Sequence, residues 1–382
     1  MRILMVTSYP LAGQYDGTAM LSKQILWGLQ RRGLVVAHAY LNLRQPFRRV
    51  HRGDFDGSPS YTLPAHAWVR GLNQIRRDHP FDLVHAEHYG GATRSYFACR
   101  RFGWPMVYHV HSLLGDEVER SRLGRGPVFR WNVAIEKRVC ATAAGVVVLG
   151  ELNKRVMVEE KGVPADRVSV IHPGLDLSPY RQSGPPTQIP GIKPDDQVIM
   201  YIGNIMHPNQ GVPILIEALT RIFAARPQAR CVLVGGPVEA GEAYRVRLGE
   251  FGDRLIVLPG QTPEQIVGLA RRADVLVHPR LACRENYSVQ TKIAVYLASG
   301  RPIVATDFGD YQRLLGETGA GLLTPVAPEP LADGILRVLS DPDLAGRLAA
   351  AARPVAEEHF GMDRNVDRYL DVYEKAMSAG PR

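Results

Sequence analysis

The sequence is poor in cysteine, and the cysteines it has are scattered. Cys99, Cys140, Cys231 and Cys283 are the four among 382 residues, and no two of them form a CxxC pair. Scattered cysteines in mostly apolar stretches argue against a disulfide framework and a zinc site, so we expect reduced, buried thiols. The sequence also lacks the GxxxxGKS/T phosphate loop and the HExxH motif of metalloproteases, so neither motif supports a function here.

Long apolar runs are also missing. No stretch of 18 apolar residues occurs, and the N-terminal MRILMVTSYP has one basic residue before a short apolar run. A membrane-spanning helix needs about 20 apolar residues, and a signal peptide has a longer apolar segment with different flanks. We therefore expect the protein to stay in the cytoplasm.

Acidic charge is scarce in the first half of the chain. The net charge of +8 divides into +10 for residues 1–190, with 25 Lys and Arg against 15 Asp and Glu, and −2 for the remainder. A basic half can attract a polyanion or an anionic membrane surface, or it can be a plain solvated surface. The stretch HAWVRGLNQIRRDHP, with Trp68, Leu72 and Ile75 on one helical face, suits either a core-packing helix or a peripheral membrane contact.

Short apolar runs of strand length are abundant. RILMVTSY, VIMYIGN and CVLVGG are examples, and helix-patterned stretches such as GVPILIEALTRIFAARP separate most of them. Strands that alternate with helices predict parallel sheets covered by helices on both faces. The predicted fold class is therefore α/β, with two doubly wound, Rossmann-like domains.

The proline-rich stretch from Ser178 to Gln197 has no sustained periodicity and is the predicted linker. We expect an N-terminal domain over residues 1–180, a linker over 181–197, a C-terminal domain over 198–360 and a final helix over 361–382. Doubly wound sheets bind ligands beyond the carboxyl ends of their strands, so the two domains are expected to face one another across a cleft. The final helix has one apolar face and is expected to pack back on the N-terminal domain.

Five segments carry a family resemblance through their order and spacing. They are VIHPGLDLSPY at the domain junction, YIGNIMHPNQGVPILIEAL at the start of the second domain, CVLVGG, ADVLVHP and TKIAVYLASGRPIVATD. Together they resemble the GT-B glycosyltransferases of the family 4 type over essentially the whole chain. The resemblance implies a retaining enzyme that moves a sugar from a nucleotide-diphospho-sugar to a hydroxyl of a glycan, a glycolipid or a metabolite, with neither metal nor cofactor.

Three positions depart from the family pattern. Where relatives carry a glutamate for the donor's ribose, this chain has Val295, and where they carry an arginine and a lysine for the diphosphate, it has Asn204 and Gln210. A diphosphate buried without compensating charge would cost several kcal/mol. The donor site is therefore altered, or the chain is a catalytically weak or inactive GT-B protein that acts as a partner subunit or a ligand-binding module.

Other residues in the same loops can replace the missing donor contacts. Arg280, Arg284 and Lys292 offer positive charge, and Glu285 is a candidate for the ribose contact. The backbone N–H groups at the start of the helix that contains Lys292 add dipole stabilisation. These N–H groups belong to Ser288, Val289, Gln290 and Thr291.

In the first domain the resemblance points to a turn and a strand end. The turn SYPLAGQYDGTAM holds Gly13 and Gly17, and the family's glycine-rich loop implies that Gly17 faces the donor or acceptor, beside a helix N-terminus with unpaired N–H groups. MVYHVHSLLGDE holds His109 and His111, which alternate along a strand and so lie on one side of the sheet. His111 matches the family's histidine near the transferred sugar and is the catalytic candidate, whereas His109 is expected to support the fold.

Two further patterns are given less weight. GDFDG holds Asp54 and Asp56 in a DxD arrangement that metal-dependent glycosyltransferases of another fold use, but its flanks predict an exposed loop, so we expect no metal. Residues 119–131 are rich in arginine and aromatics, in a region where relatives shape the acceptor site. They match no nucleic-acid-binding motif, so we expect no nucleic-acid partner.

Overall fold

The chain divides into two compact units. The structure, a computed structural model, describes residues 1–14, 16–42, 49–64, 67–112, 126–182 and 184–379. Unit 1 comprises Met1–Gly174 and Met362–Arg382, and unit 2 comprises Leu175–Gly361. The chain therefore leaves unit 1, completes unit 2 and returns to unit 1 for its last helix.

Unit 1 alternates strands and helices. Its strands are β1 (Arg2–Thr7), β2 (Val35–Asn42), β3 (His51–Phe55), β4 (Ser58–Pro64), β5 (Leu83–Glu87), β6 (Met106–Val110), β7 (Gly145–Val148) and β8 (Val168–Val170). Its helices are α1 (Gly17–Arg31), α2 (Trp68–Asp78), α3 (His88–Phe102), α4 (Pro127–Thr142) and α5 (Glu151–Arg155). Short helical turns follow at Val156–Glu160 and Ala165–Arg167.

The strands of unit 1 form one sheet in the order β3-β4-β2-β1-β5-β6-β7-β8. Neighbouring strands are parallel except β3 and β4, which form an antiparallel hairpin at the edge. The central strands β5, β6 and β7 are buried along their whole length, as expected for strands covered by helices on both faces. The predicted exposed loop around GDFDG is this hairpin, in which Asp54 Oδ1 accepts from Gly57 N–H and Asp56 Oδ2 accepts from Trp27 Nε1–H.

The last helix of the chain completes the core of unit 1. It runs from Met362 to Ser378, and its buried face includes Val366, Tyr369 and Tyr373. A Cβ on Gly28 of α1 would lie 2.7 Å from Cγ of Met362 and from Cγ2 of Val366. Glycine is required there because it lets the two helices approach so closely.

Unit 2 repeats the same alternation with a shorter sheet. Its strands are β9 (Gln197–Ile202), β10 (Ala229–Val234), β11 (Leu255–Leu258), β12 (Val275–His278), β13 (Ile303–Thr306) and β14 (Leu322–Thr324). Its helices are α6 (Ser178–Arg181), α7 (Val212–Ala225), α8 (Ala240–Leu248), α9 (Pro263–Arg272), α10 (Thr291–Ser299), α11 (Pro328–Ser340) and α12 (Pro342–His359). The final helix, Met362–Ser378, is α13 and belongs to unit 1.

The strands of unit 2 lie in the order β11-β10-β9-β12-β13-β14, and all neighbours are parallel. Apolar clusters fill the space on the two faces of this sheet. The predicted fold class, α/β with two doubly wound parallel-sheet domains, is thereby confirmed. The division between the units falls at Gly174–Leu175, a few residues before the predicted boundary at residue 180.

The structure also bears on the expectations for the cysteines and for the apolar face of helix α2. Cys99, Cys140 and Cys231 are free and buried, whereas Cys283 is partly buried. Helix α2 buries Leu72 and Ile75, so this face packs into the core. Within the described ranges, no helix combines the length and apolar character needed to cross a membrane.

Candidate functional site

The parallel pairing of β5 with β6 gathers four polar side chains in unit 1. Glu87 is paired with His109 in the register of the two strands. Because alternate residues of a strand share a face, His85 joins Glu87 and His111 joins His109 on the same side of the sheet. Two strand ends with the pattern His-x-Glu and His-x-His therefore make one cluster.

Glu87 is the centre of this cluster. Its Oε1 lies 2.7 Å from Nε2 of His85 and 3.2 Å from Nδ1 of His109. Its Oε2 lies 2.6 Å from Nε2 of His111 and 3.1 Å from the hydroxyl oxygen of Ser22. A carboxylate only accepts hydrogen bonds, so all four neighbours donate to it.

Helix α13 closes the cluster from the other side. The Tyr373 hydroxyl lies 2.6 Å from Nδ1 of His85, and the Tyr369 hydroxyl lies 3.5 Å from Nε2 of His109. Each of these two imidazoles thus has its second nitrogen paired with a phenol. The last helix therefore supplies polar partners as well as apolar packing.

The charges of the cluster follow from burial and hydrogen bonding. Burial alone would raise the pKa of Glu87, but its interactions with His109 and His111 outweigh burial and hold that pKa well below its ordinary value. Burial lowers the pKa of His109 to about 4, although Glu87 opposes this shift. At neutral pH the cluster therefore contains an ionised carboxylate and a neutral His109.

Three residues of the cluster also have the chemistry of metal ligands. His85, Glu87 and His109 offer ligand atoms within 4.8 Å of one another. The 2.7 Å separation of His85 Nε2 from Glu87 Oε1 is shorter than the ~3.3 Å between two ligands of a tetrahedral zinc ion. The distances fit direct hydrogen bonds, so the cluster is a hydrogen-bonded network.

The glycine turn after β1 differs from the expectation. Gly13 has a φ of 72°, whereas Gly17 opens α1 with a negative φ, and a Cβ added there would have nothing within 4 Å. Asp16 caps α1, because its Oδ1 accepts from the N–H groups of Thr18 and Ala19, each at 3.0 Å. The expectation that this helix start offers unpaired N–H groups to an anion is therefore wrong for those two groups.

In unit 2 the amine of Lys292 lies among neutral polar groups. Its Nζ donates to Gln210 Oε1 at 2.7 Å and to the Tyr201 hydroxyl at 2.8 Å, and it lies 4.3 Å from the centre of the Tyr201 ring. Among the side chains that the structure describes, no carboxylate forms an ion pair with Lys292. The amine is thus held by dipoles and an aromatic face, without an opposite charge.

The electrostatic environment of Lys292 disfavours its charge. Burial lowers the pKa of Lys292 well below its ordinary value, and the positive charge of Arg280 lowers it further. Burial also lowers the pKa of His278 well below its ordinary value, and Lys292 and Arg280 contribute to that shift. An anion placed beside these groups would favour the charged form of the lysine.

Two glycines shape the loops around Lys292. Gly203 has a φ of 146°, and a Cβ there would lie 2.3 Å from Lys292 Nζ. Gly211 has a φ of 71°, and a Cβ there would lie 1.4 Å from the carbonyl oxygen of Pro279. A side chain at either position would displace Lys292 or push the loops after β9 and β12 apart.

The structure brings part of the predicted donor set together. Gln210 contacts Lys292 directly, and Arg280, which is 1% exposed, is close enough to lower its pKa. Asn204 is exposed, and its Oδ1 accepts from the N–H of Met206 at 2.9 Å, so it closes its own turn. The side chain of Asn204 therefore bonds its own loop, while its carbonyl oxygen accepts from the Tyr201 hydroxyl at 3.3 Å.

The remaining predicted donor residues lie along α10 and the loop before it. The Arg284 guanidinium lies 5.7 Å from the centre of the Tyr287 ring, and Val295 is partly buried against the core of unit 2. The side chain of the N-cap residue, Gln290, makes no capping hydrogen bond at the start of α10. Ser288, Gln290 and Thr291 are partly buried, and Val289 is buried. The side chain of Glu285 lies outside what the structure describes, as does most of the stretch 119–131.

Sequence reasoning missed three residues of these two sites. Glu87 and His85 lie in DLVHAEH, where two polar residues alternate within an otherwise apolar strand. That alternation was a usable signal, because a charged residue in a strand buried on both faces needs partners. Tyr201 gave no such signal, since a tyrosine in an apolar strand is ordinary.

Two family models match the chain, one on each unit. The model described as Glycosyltransferase Family 4 matches residues 15–179. The model described as Glycosyl transferases group 1 matches residues 196–341. Both models name transfer of a sugar, and together they span most of the chain.

The chain is also similar to curated relatives and solved structures. The D-inositol 3-phosphate glycosyltransferase of Mycobacteroides abscessus is 26% identical, over 98% of this chain and 89% of the relative. Sucrose-phosphate synthase from Thermosynechococcus elongatus has a TM-score of 0.76 at 18% identity, over 99% of each chain. HepE from Anabaena, in complex with UDP-glucose, has a TM-score of 0.73 at 20% identity, over 97% of this chain and 99% of that one.

Two parallel-sheet units of this kind, with these structural neighbours, show the GT-B fold. The family models and the curated relatives show that the chain is a glycosyltransferase. Within that class, the chain belongs to glycosyltransferase family 4.

Proposed function

We propose that the protein is a retaining, metal-independent glycosyltransferase that moves a sugar from a nucleotide-diphospho-sugar to a hydroxyl of a glycan, a glycolipid or a small metabolite. Lys292 is the observation that carries this proposal. A buried amine with neutral partners, beside Arg280 and close to the start of α10, is suited to an anionic ligand. HepE, a structural neighbour, binds UDP-glucose, which supports a nucleotide sugar as the donor.

The chemistry asked of these residues is electrostatic. A departing nucleoside diphosphate gains negative charge in the transition state, and fixed positive groups stabilise that charge. In this proposal Lys292 and Arg280 supply the positive charge, and the backbone N–H groups around Ser288–Thr291 add the helix dipole. The acceptor hydroxyl attacks from the face that the diphosphate leaves, which retains the anomeric configuration.

The nucleotide is expected to lie on unit 2, between the loops 203–211 and 284–292. The expectation follows from the rule that doubly wound sheets bind ligands beyond the carboxyl ends of their strands. A crystal structure with a nucleoside diphosphate tests it. Nucleotide density found only against Gly13–Thr18 in unit 1 would contradict this placement.

His111 is proposed to meet the transferred sugar, because it is the least buried histidine of the Glu87 cluster. His111→Ala should therefore lower turnover far more than it weakens nucleotide binding. The measurements are kcat for sugar transfer and the Kd for the nucleoside diphosphate. Turnover equal to that of wild type would remove His111 from the site.

The decisive experiment is nucleotide release from a panel of UDP-, GDP-, ADP- and TDP-sugars, together with thermal shift by the free nucleoside diphosphates. A bound nucleotide raises Tm by linkage whether or not turnover occurs. We expect one nucleotide to raise Tm and its sugar to be consumed, with or without a metal chelator. A protein that neither binds nor consumes any of the four donors would contradict the proposal.

The acceptor side is proposed to lie on unit 1, where the basic residues concentrate. Its +10 half would bind vesicles that contain anionic lipid at low salt and release them as salt rises, which suits a lipid-linked acceptor. Sedimentation with anionic and neutral vesicles measures this binding. Equal partition to both vesicle types would argue for a water-soluble acceptor.

A further inference from the structure

Glu87 has a place in the site that family membership does not assign. We propose that Glu87 is a positioning residue, whose carboxylate fixes the ring orientation and the tautomer of His111. In this arrangement His111 keeps its proton on Nε2 and uses Nδ1 as a hydrogen-bond acceptor for a hydroxyl of the transferred sugar. The link to the sugar rests on the proposed function, whereas the tautomer rests on the hydrogen-bond geometry around an ionised Glu87.

The tautomer follows from counting donors and acceptors. An ionised carboxylate has about four lone-pair sites and no proton to donate. Glu87 faces Nε2 of His85, Nδ1 of His109, Nε2 of His111 and the hydroxyl of Ser22, at 2.6 to 3.2 Å. Each of these atoms must carry a hydrogen, so the imidazole of His111 is protonated on Nε2.

The position of His111 sets it apart from the other two histidines. His85 and His109 have no exposed surface, and tyrosines of α13 approach their second nitrogens. His111 retains 9% of its surface and lies at the end of its strand, where parallel sheets bind ligands. Its bond to Glu87, 2.6 Å long, is shorter than the bonds of the other two histidines.

Ser22 links the Glu87 carboxylate to helix α1 and to the segment after β1. Its hydroxyl lies 3.1 Å from Glu87 Oε2 and 3.1 Å from the hydroxyl of Tyr9, which follows β1. Because Ser22 is on α1, the carboxylate is held from β5, β6 and α1 at once. A charge fixed by three elements can define one ring orientation where a single contact would allow several.

Replacing the carboxylate by an amide should reverse the tautomer. In Glu87→Gln one oxygen becomes an NH₂ group, which donates and cannot accept. If the amide oxygen keeps the bonds from His85 and His109, the NH₂ group faces His111, so the His111 proton must move to Nδ1. The nitrogen that accepts from the sugar would then become a donor.

The experiment combines a spectroscopic measurement with kinetics. Long-range ¹H–¹⁵N spectra of the imidazoles, assigned with His111→Asn, report which nitrogen carries the proton. We expect the Nε2–H tautomer for His111 in wild type and the Nδ1–H tautomer in Glu87→Gln. Turnover should fall about 10- to 100-fold in Glu87→Gln, with little change in KM for the donor, because a hydrogen bond to the reacting sugar is lost.

Tyr61→Phe is the matched control, since it removes one buried hydroxyl of unit 1 from β4, outside the Glu87 cluster. It should leave both kcat and the His111 tautomer unchanged. Glu87→Asp keeps the charge and should keep the Nε2–H tautomer of His111. If Glu87→Gln does not fold, this variant still tests whether a carboxylate sets the tautomer. A wild-type His111 protonated on Nδ1, or an unchanged tautomer in Glu87→Gln, would overturn the proposal. Absence of any sugar transfer would instead contradict the proposed function, while the spectra still decide the tautomer.

Discussion

Unit 1 buries a carboxylate and unit 2 buries an amine, and the two groups are treated differently. Glu87 receives four hydrogen bonds from three imidazoles and a hydroxyl. Lys292 has two polar contacts and an aromatic face, all from uncharged groups. The pKa of the carboxyl is lowered, which favours its charge, whereas the pKa of the amine is lowered, which disfavours its charge.

The difference separates a group whose charge the protein itself stabilises from a group that we propose binds an anionic ligand. A buried charge whose lone pairs are all satisfied is a fixed part of the structure. A buried amine without an opposite charge costs stability until an anion arrives. Unit 1 therefore stabilises its buried charge with its own hydrogen bonds, whereas in the proposed function a bound nucleotide stabilises the charge of Lys292 in unit 2.

The largest expected effect is a loss of stability when a second lysine is placed beside Lys292. Gln210→Lys would place two amines where Nζ of Lys292 now lies 2.7 Å from the amide oxygen. An uncompensated buried charge costs about 3 to 5 kcal/mol, so the free energy of unfolding should fall by about that amount. Urea unfolding measures it. The family's lysine, restored at position 210 alone, would thus not rebuild a donor site.

The exchange Gln210→Lys with Lys292→Gln is the matched control for that variant. It keeps one amine and one amide in the same place, so most of the lost stability should return. A single Gln210→Lys variant as stable as wild type would show that Lys292 does not lie against residue 210.

Acid should destabilise unit 1 through its buried histidines. Burial lowers the pKa of His38 to about 3 and that of His109 to about 4, against 6.5 in the unfolded chain. Between those values the unfolded state binds more protons, so the free energy of unfolding falls as pH drops below 6.5, by about 3 kcal/mol for His109. The lowered pKa of Glu87 acts in the same direction, since its stabilisation is lost as pH falls below 4.5.

Hydrogen exchange measured between pH 7 and pH 4 checks this prediction. Amides of β1, β2, β5 and β6 should lose protection as the pH falls. His38→Asn should flatten the pH dependence of unit 1, whereas Lys292→Met should leave it unchanged. Unchanged protection of these amides between pH 7 and pH 4 would contradict the prediction.

Lys292→Met should separate binding from stability. Removing a charge-assisted hydrogen bond should weaken nucleoside diphosphate binding by about 1.5 to 3 kcal/mol, or about 10- to 150-fold. The same change replaces a costly buried amine with an apolar side chain, while the Tyr201 hydroxyl still donates to Gln210 Oε1 at 3.2 Å. Tm should therefore stay equal or rise.

Calorimetry and thermal melts test that pair of expectations. Lys193→Ala removes a lysine of unit 2 outside the donor loops and is the control, with no change expected in either measurement. Unchanged nucleotide binding by Lys292→Met would show that another group holds the diphosphate.

The smallest effect is expected at Val295. Val295→Glu would restore the carboxylate that relatives use for the ribose, and it should tighten nucleoside diphosphate binding by about 1 kcal/mol. Pyrophosphate, which has no ribose, should bind both proteins equally. Equal affinity of the two proteins for the nucleotide would place the ribose away from residue 295.

The parallel sheets were predictable because buried strands and amphipathic helices leave clear patterns in the sequence. The exact division between the units was harder to predict, because β8 and the segment that follows it belong to unit 1 up to Gly174. The proline-rich stretch begins only at Ser178, a few residues after the point at which the chain stops packing against unit 1. A boundary set by packing need not coincide with one set by proline content.

At the sites, the sequence indicated residue types but not their pairing. Lys292 was predicted as a cation near the diphosphate, but its contact with Gln210 depends on how closely Gly203 lets the loop approach. Glu87 and His111 are 24 residues apart and meet only through the register of β5 with β6. Pairings of this kind depend on tertiary structure, which no local pattern contains.

The return of the chain to unit 1 has a consequence for how the protein is made. A ribosome releases all of unit 2 before it releases α13, so unit 2 can fold while unit 1 still lacks its last helix. Until then, Tyr369 and Tyr373 cannot cover His109 and His85, and the polar cluster stays open to water. The order of synthesis thus makes the centre of the N-terminal unit one of the last parts of the molecule to be assembled.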